Sequence, residues 1–96
     1  IMFTDKERQM IDKILNIGFV DSFRYYIKEP GYYTWFPYAF DARNRNLGWR
    51  IDYIFITDNL KKYIKSVKIL KDIYGSDHCP TELNLNINWF KKEIVL

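Results

Sequence analysis

Cysteine is nearly absent: Cys79 is the only one in 96 residues. One thiol excludes an internal disulfide framework and any multi-cysteine zinc site, and makes a reducing, intracellular compartment the expected one. Long apolar runs are missing too, since the longest extend only a few residues, so no membrane-spanning helix is expected and no membrane partner. No basic-then-apolar leader opens the chain, which gives no expectation of secretion. Internal repeats and low-complexity segments are absent. The excess of one charge sign is small: 15 Lys+Arg against 12 Asp+Glu leave +3, a weak hint of a nucleic-acid partner. The length suits one small domain and not two.

Aromatic residues are plentiful, with eight Tyr, seven Phe and three Trp. A domain this small can bury only some of them. They suit either a core with an interface or a wet surface on which bases or sugars stack.

Thr4-Asp5-Lys6-Glu7 has the form of a capping box, and Met10, Ile11, Ile14 and Leu15 fall on one helical face. The spacing predicts a helix over about residues 5 to 16, stopped at Gly18. Residues 19 to 28 suit strand or turn, with Asp21 or Ser22 able to cap a short turn. Pro30-Gly31 marks a loop, Tyr33 to Tyr38 is β-prone, and Asp41 to Gly48 reads as an exposed loop. Trp49 to Thr57 ends in Tyr-Ile-Phe-Ile, the pattern of a strand covered on both faces. Asp58-Asn59 can cap a short helix through Tyr63, followed by a strand over Ser66 to Leu70. Tyr74 to Pro80 reads as a loop. Leu83, Leu85 and Ile87 alternate with Asn84, Asn86 and Asn88 in a final half-exposed strand. One or two helices with at least four strands and no βαβ rhythm predict antiparallel pairing and an α+β class. One helix cannot cover both faces of a sheet, so a partner subunit or further chain is expected to cover the other.

His78, the only histidine, lies in Gly75-Ser76-Asp77-His78-Cys79-Pro80, a loop ahead of a strand and so a place where a scaffold presents reactive groups. Alone, it would more often be an ordinary surface or core residue. Neighbours in an extended segment point opposite ways, so a carboxylate other than Asp77 should orient its ring. Asp52 is the candidate, because a carboxylate in an apolar strand needs a partner. A salt bridge to Arg50 would serve equally well. Pairing with His78 would leave Asp77 free to bind a metal ion directly or through water.

Tyr33-Thr34-Trp35, Ala42-Arg43, Asn46, Gly48-Trp49-Arg50-Ile51-Asp52-Tyr53 and Gly75-Ser76-Asp77-His78-Cys79-Pro80 together resemble the C-terminal third of exonuclease III-type apurinic/apyrimidinic endonucleases. The likeness runs from about Phe3 to Leu85 and includes Gly18 to Arg24. Ser-Asp-His also occurs across the wider endonuclease/exonuclease/phosphatase superfamily, but Gly-Trp-Arg-Ile-Asp-Tyr ahead of it is narrower. The resemblance implies the C-terminal part of a four-layer α/β sandwich with antiparallel-rich mixed sheets. Residues 1 to 96 would be one fragment, and the N-terminal remainder of the same fold its partner. The family's metal-binding Glu, active-site Tyr and Asp-x-Asn pair have no match here, so these residues alone are expected to have no more than trace activity.

The resemblance also implies roles. His78 would stabilise charge on the scissile phosphate, Asp52 would orient it, and Asp77 would help hold Mg²⁺, or Mn²⁺ in its place. Trp35, Trp49 and Ile51 would line the pocket for an extrahelical abasic sugar. Arg43, Arg45 and Asn46 would contact double-stranded DNA. The implied reaction is hydrolysis 5′ to abasic sites with 3′-5′ exonuclease capability, in a nucleus or DNA-containing organelle of a eukaryote or the cytoplasm of a bacterium. Another phosphodiesterase or phosphatase of the superfamily, or a non-catalytic nucleic-acid-binding module, is the competing reading.

Overall fold

The computed structural model describes residues 4–86. Helix α1 spans Asp5–Asn16, and the Thr4 hydroxyl accepts the Glu7 amide at 3.3 Å as its N-cap. The chain leaves it through Gly18, whose φ of 106° is the left-handed conformation a helix stop requires. Strand β1 (Phe19–Asp21) follows, and Asp21 then caps the five-residue helix α2 (Ser22–Tyr26) by accepting the Arg24 amide. A short 3-10 turn covers Ala39–Asp41. Strand β2 is Phe55–Thr57, a second 3-10 helix covers Asp58–Tyr63, and β3 and β4 are Ile64–Ile69 and Thr81–Leu85.

The strands form two antiparallel ribbons, β1 with β2 and β3 with β4. Asp21 faces Phe55 in the first, and Val67 faces Leu83 in the second. The arrangement is α+β, as the element count predicts. The final strand ends at Leu85; Ile87 and Asn88, assigned to it from alternation, lie outside the described residues, as does Phe3.

Trp49 to Thr57 departs from the expected continuous strand. Only Phe55–Thr57 joins a ladder, while Trp49 makes a single bridge to Trp35. The backbone between them is bound by side chains instead. The Thr34 hydroxyl accepts the Ile51 and Asp52 amides at 3.0 and 3.1 Å, and the Tyr53 hydroxyl donates to the Arg50 carbonyl at 2.9 Å. Asp52 therefore sits ahead of β2, half-exposed, and not within an apolar strand. Tyr33 to Tyr38 likewise pairs only at Trp35, which bridges Trp49 on one side and His78 on the other.

Arg50 does not pair with Asp52. It reaches back to Asp21 in a two-pronged ion pair at 3.1 and 2.6 Å, with its guanidinium over the rings of Phe23 and Tyr53. Asp21 thus fixes α2 and the segment before β2 together. Burial pushes the Tyr53 hydroxyl above its usual range, against the opposing pull of Arg50.

Phe36, Ala42 and Cys79 form the buried cluster, with Tyr33 and Ile69 packed on it. Helix α1 contributes no buried residue. Ile11 and Ile14 of its apolar stripe are half-buried, while Met10 and Leu15 are 59% and 38% exposed.

Candidate active site

Three segments meet at Trp35. The bridges to Trp49 and His78 lay residues 49–52 along one side of it and 77–79 along the other. The Phe36 amide donates to the Asp77 carbonyl at 3.0 Å, and the Cys79 amide to the Thr34 carbonyl at 2.6 Å. His78 is thereby locked into an extended segment with Asp77 and Cys79 pointing away from it. Its own amide donates to the Ser76 hydroxyl at 3.0 Å.

This geometry brings His78 Nδ1 to 2.7 Å from Asp52 Oδ2. An ionised carboxylate can only accept, so the proton of the neutral ring sits on Nδ1 and leaves Nε2 for another partner. Both side chains are more than two-fifths exposed, open enough to meet a substrate. Asp77 points the other way, where Trp35 Nε1 donates to its Oδ2 at 2.9 Å.

The indole bond is the main reason the Asp77 carboxyl lies below the ordinary 3.8; partial burial opposes the shift, and its own backbone amide adds to it. A depressed carboxylate contributes stability above its ordinary value and loses it as pH falls through the folded value. Trp35→Phe is therefore expected to raise the Asp77 pKa toward 3.8, read from a carbon-13 titration of the carboxyl. Superimposable titrations of the two proteins would remove the indole as the cause.

The loop residues expected to touch DNA have mixed placements. Arg43 is turned inward: it donates to the carbonyls of Lys71 and Ile73, both at 2.6 Å, and of Ser76 at 3.1 Å, and stacks on Tyr74. Those bonds strap the 41–48 loop to the segment carrying Asp77. Three bonds thus commit the guanidinium to this strap, while its Nε has no hydrogen-bond partner. Asn46 is likewise used at both ends, donating to the Gly31 carbonyl and accepting from Lys71 Nζ. Arg45 is exposed, and its guanidinium donates to the Phe40 carbonyl at 3.2 Å. Trp49, bridged to Trp35, is 37% exposed, and Ile51 is half-buried. A groove of about 520 Å³ is lined by Phe36, Tyr38, Arg43, Tyr74, Ser76 and Asp77 among others, with none of Trp35, Trp49 or Ile51 in its wall.

Sequence reasoning assigned no role to Thr34. The signal for Thr34 was available: a short aliphatic hydroxyl amid the rings of Tyr33, Trp35 and Phe36 has to find partners once buried.

The model of the Endonuclease/Exonuclease/phosphatase family matches residues 4–78. An exodeoxyribonuclease of Bacillus subtilis is 49% identical over 86 residues, which are 88% of this chain and 34% of that protein. A DNA repair nuclease of Danio rerio is 40% identical over 86 residues, covering 88% of this chain and 28% of its own length. Among solved structures, an AP endonuclease from Archaeoglobus fulgidus superimposes with a TM-score of 0.77 at 30% identity, over 86% of this chain and 34% of that one. A 3′ phosphatase from Neisseria, bound to product DNA hairpin, gives 0.77 at 31% identity over 85% and 34%. The chain thus spans about a third of the length of these proteins, and its α+β arrangement is part of their sandwich architecture.

Proposed function

Because the chain belongs to the Endonuclease/Exonuclease/phosphatase family, we propose that it is the C-terminal part of a DNA-repair nuclease that hydrolyses the phosphodiester 5′ to abasic sites and trims 3′ ends. The observation that carries this reading is the Asp52–His78 bond of 2.7 Å, standing open to solvent beside Asp77. Asp52 holds the imidazole in one tautomer, so Nε2 is the ring atom that meets a phosphate oxygen. Protonated there, it donates to the oxygen on which charge grows as the bond breaks, an interaction worth most in the transition state.

Mg²⁺ is the proposed cofactor. Among the described residues no three His, Cys, Asp or Glu stand together, so these residues alone do not make its site. Asp77 offers one hard oxygen, of the kind Mg²⁺ prefers. Bound, the ion would polarise the phosphate. The other donors, and the pair that positions the attacking water, belong to the remaining part of the sandwich. That part would also cover the exposed Met10 and Leu15 of α1. Trp35, Trp49 and Ile51 are the proposed wall for the abasic sugar, with Arg45 the loop residue still open to DNA. The proposed setting is intracellular: the nucleus or a DNA-containing organelle, or the bacterial cytoplasm.

The test grafts this chain into the Bacillus subtilis exodeoxyribonuclease in place of the 86 matching residues. The graft is expected to cleave an abasic-site duplex with Mg²⁺, while the 96 residues alone give no more than a trace. Cleavage of a phosphoinositide or other non-nucleic substrate by the graft, with none of DNA, would overturn the reading. Efficient His78-dependent cleavage by the isolated chain would overturn its fragment status.

A further inference from the structure

Thr34 is fully buried, at 0% exposure, and four hydrogen bonds converge on it. Its amide donates to the Trp49 carbonyl at 2.9 Å, and its carbonyl accepts the Cys79 amide at 2.6 Å. Its hydroxyl oxygen accepts two consecutive amides, those of Ile51 at 3.0 Å and Asp52 at 3.1 Å. In an extended strand, consecutive amides point to opposite edges. Two of them meeting at one oxygen means that the backbone is bent there, between Trp49 and β2. A hydroxyl has two lone pairs and can satisfy both. The Trp49 carbonyl does the same for the consecutive Thr34 and Trp35 amides, at 2.9 and 3.0 Å; at Ile51 and Asp52 it is the Thr34 side chain that serves.

The bend decides where the Asp52 carboxylate goes. A straight continuation from Trp49 would alternate side chains across the sheet, whereas the bent segment turns Asp52 to His78. The other end of the pair is set from the same residue, because the Thr34 carbonyl holds the amide immediately after His78. We propose that Thr34 is a positioning residue: its hydroxyl aims Asp52, its carbonyl anchors the His78 segment, and together they fix the Nδ1–Oδ2 approach. This deepens, and rests on, the reading of Asp52 and His78 as the working pair of the nuclease. Thr34 touches no substrate in this role and acts only through Asp52 and His78.

The test reads the tautomer of His78 by long-range proton–nitrogen correlation in the labelled 96-residue chain, at a pH where the ring is neutral. The wild type is expected to hold the proton on Nδ1, against the Nε2 form that a free imidazole favours. Thr34→Val keeps the shape and removes the acceptor. It is expected to shift the ratio about tenfold toward Nε2, the effect of losing one oriented hydrogen bond. Thr34→Ser restores the hydroxyl and should restore Nδ1. A folded Val variant, with β3 and β4 amide signals in place and the wild-type tautomer, would overturn the proposal.

Should the Val variant not fold, the wild type decides. The Ile51 and Asp52 amides must then be protected from hydrogen exchange as strongly as the Cys79 amide, and rapid exchange of either would overturn it. The readout uses neither DNA nor metal. A failure of Thr34 leaves the cleavage result on the grafted enzyme untouched, and a failed cleavage assay leaves the tautomer result standing.

Discussion

His78→Ala in the grafted nuclease is expected to lower turnover on an abasic-site duplex by about 10²–10³-fold, the usual cost of losing one preorganised donor to a developing negative charge. KM should change little, since the ring strengthens its contact only as charge accumulates. Asp52→Asn should fall in the same parameter but by less, because the amide can still hold the ring while presenting the wrong charge. A His78 variant with wild-type turnover, or a loss confined to KM, would show that the ring serves binding and not catalysis. The comparison is informative because the pair is half-exposed. Truncating His78 there opens no buried cavity, so the effect on turnover is separable from an effect on folding.

The second large effect is on stability, at Gly48→Ala. A Cβ at Gly48 would stand 2.3 Å from the Trp35 carbonyl oxygen and 2.7 and 2.9 Å from ring carbons of Phe36. Neither neighbour can yield. The carbonyl is fixed in the Trp35–Trp49 bridge by the Trp49 amide at 3.0 Å, and Phe36 is 2% exposed at the centre of the core. Overpacking of this kind costs about 2–3 kcal/mol, which for a domain this size lowers the melting temperature by roughly 10–20 °C. Gly18→Ala is the useful contrast. It meets nothing within 4 Å but carries a φ of 106°, so its cost is conformational alone, about 1 kcal/mol. Equal melting temperatures for Gly48→Ala and wild type would mean that the strands move apart freely at Trp35.

These expectations divide along the same line as the legibility of the sequence. The ends of α1 could be read from Thr4, Glu7 and Gly18 because helix caps are local: the residues that make the bond are within one turn of each other. The final strand could be read from the alternation of Leu83 and Leu85 with Asn84, a pattern that is also local, whereas its pairing with β3 across 12 to 21 residues could not. The segment from Trp49 to Thr57 could not, because its apolar content is that of a strand while its amides are taken by a threonine 17 and 18 residues away. Arg43 reads in the sequence as a basic loop residue. Only the fold shows that three carbonyls of the 71–76 segment surround it and tie the two loops together. Asp52 and His78 could be paired in advance through their motifs, yet the reason offered for Asp52, burial in a strand, is not the one the fold supplies.

Asp52 and His78 are separated by 26 residues, and between them lie β2, a 3-10 helix, the whole of β3 and a loop. One exposed hydrogen bond cannot close such an interval against chain entropy. The β3–β4 ribbon and the Cys79–Thr34 bond close it instead, and the pair forms as a consequence. Assembly of the site is therefore expected late in folding, with φ-values near zero at Asp52 and His78. Substitutions at Asp52 or His78 should leave the refolding rate as it is, whereas loosening the Val67–Leu83 contact should slow it and delay the site along with the ribbon.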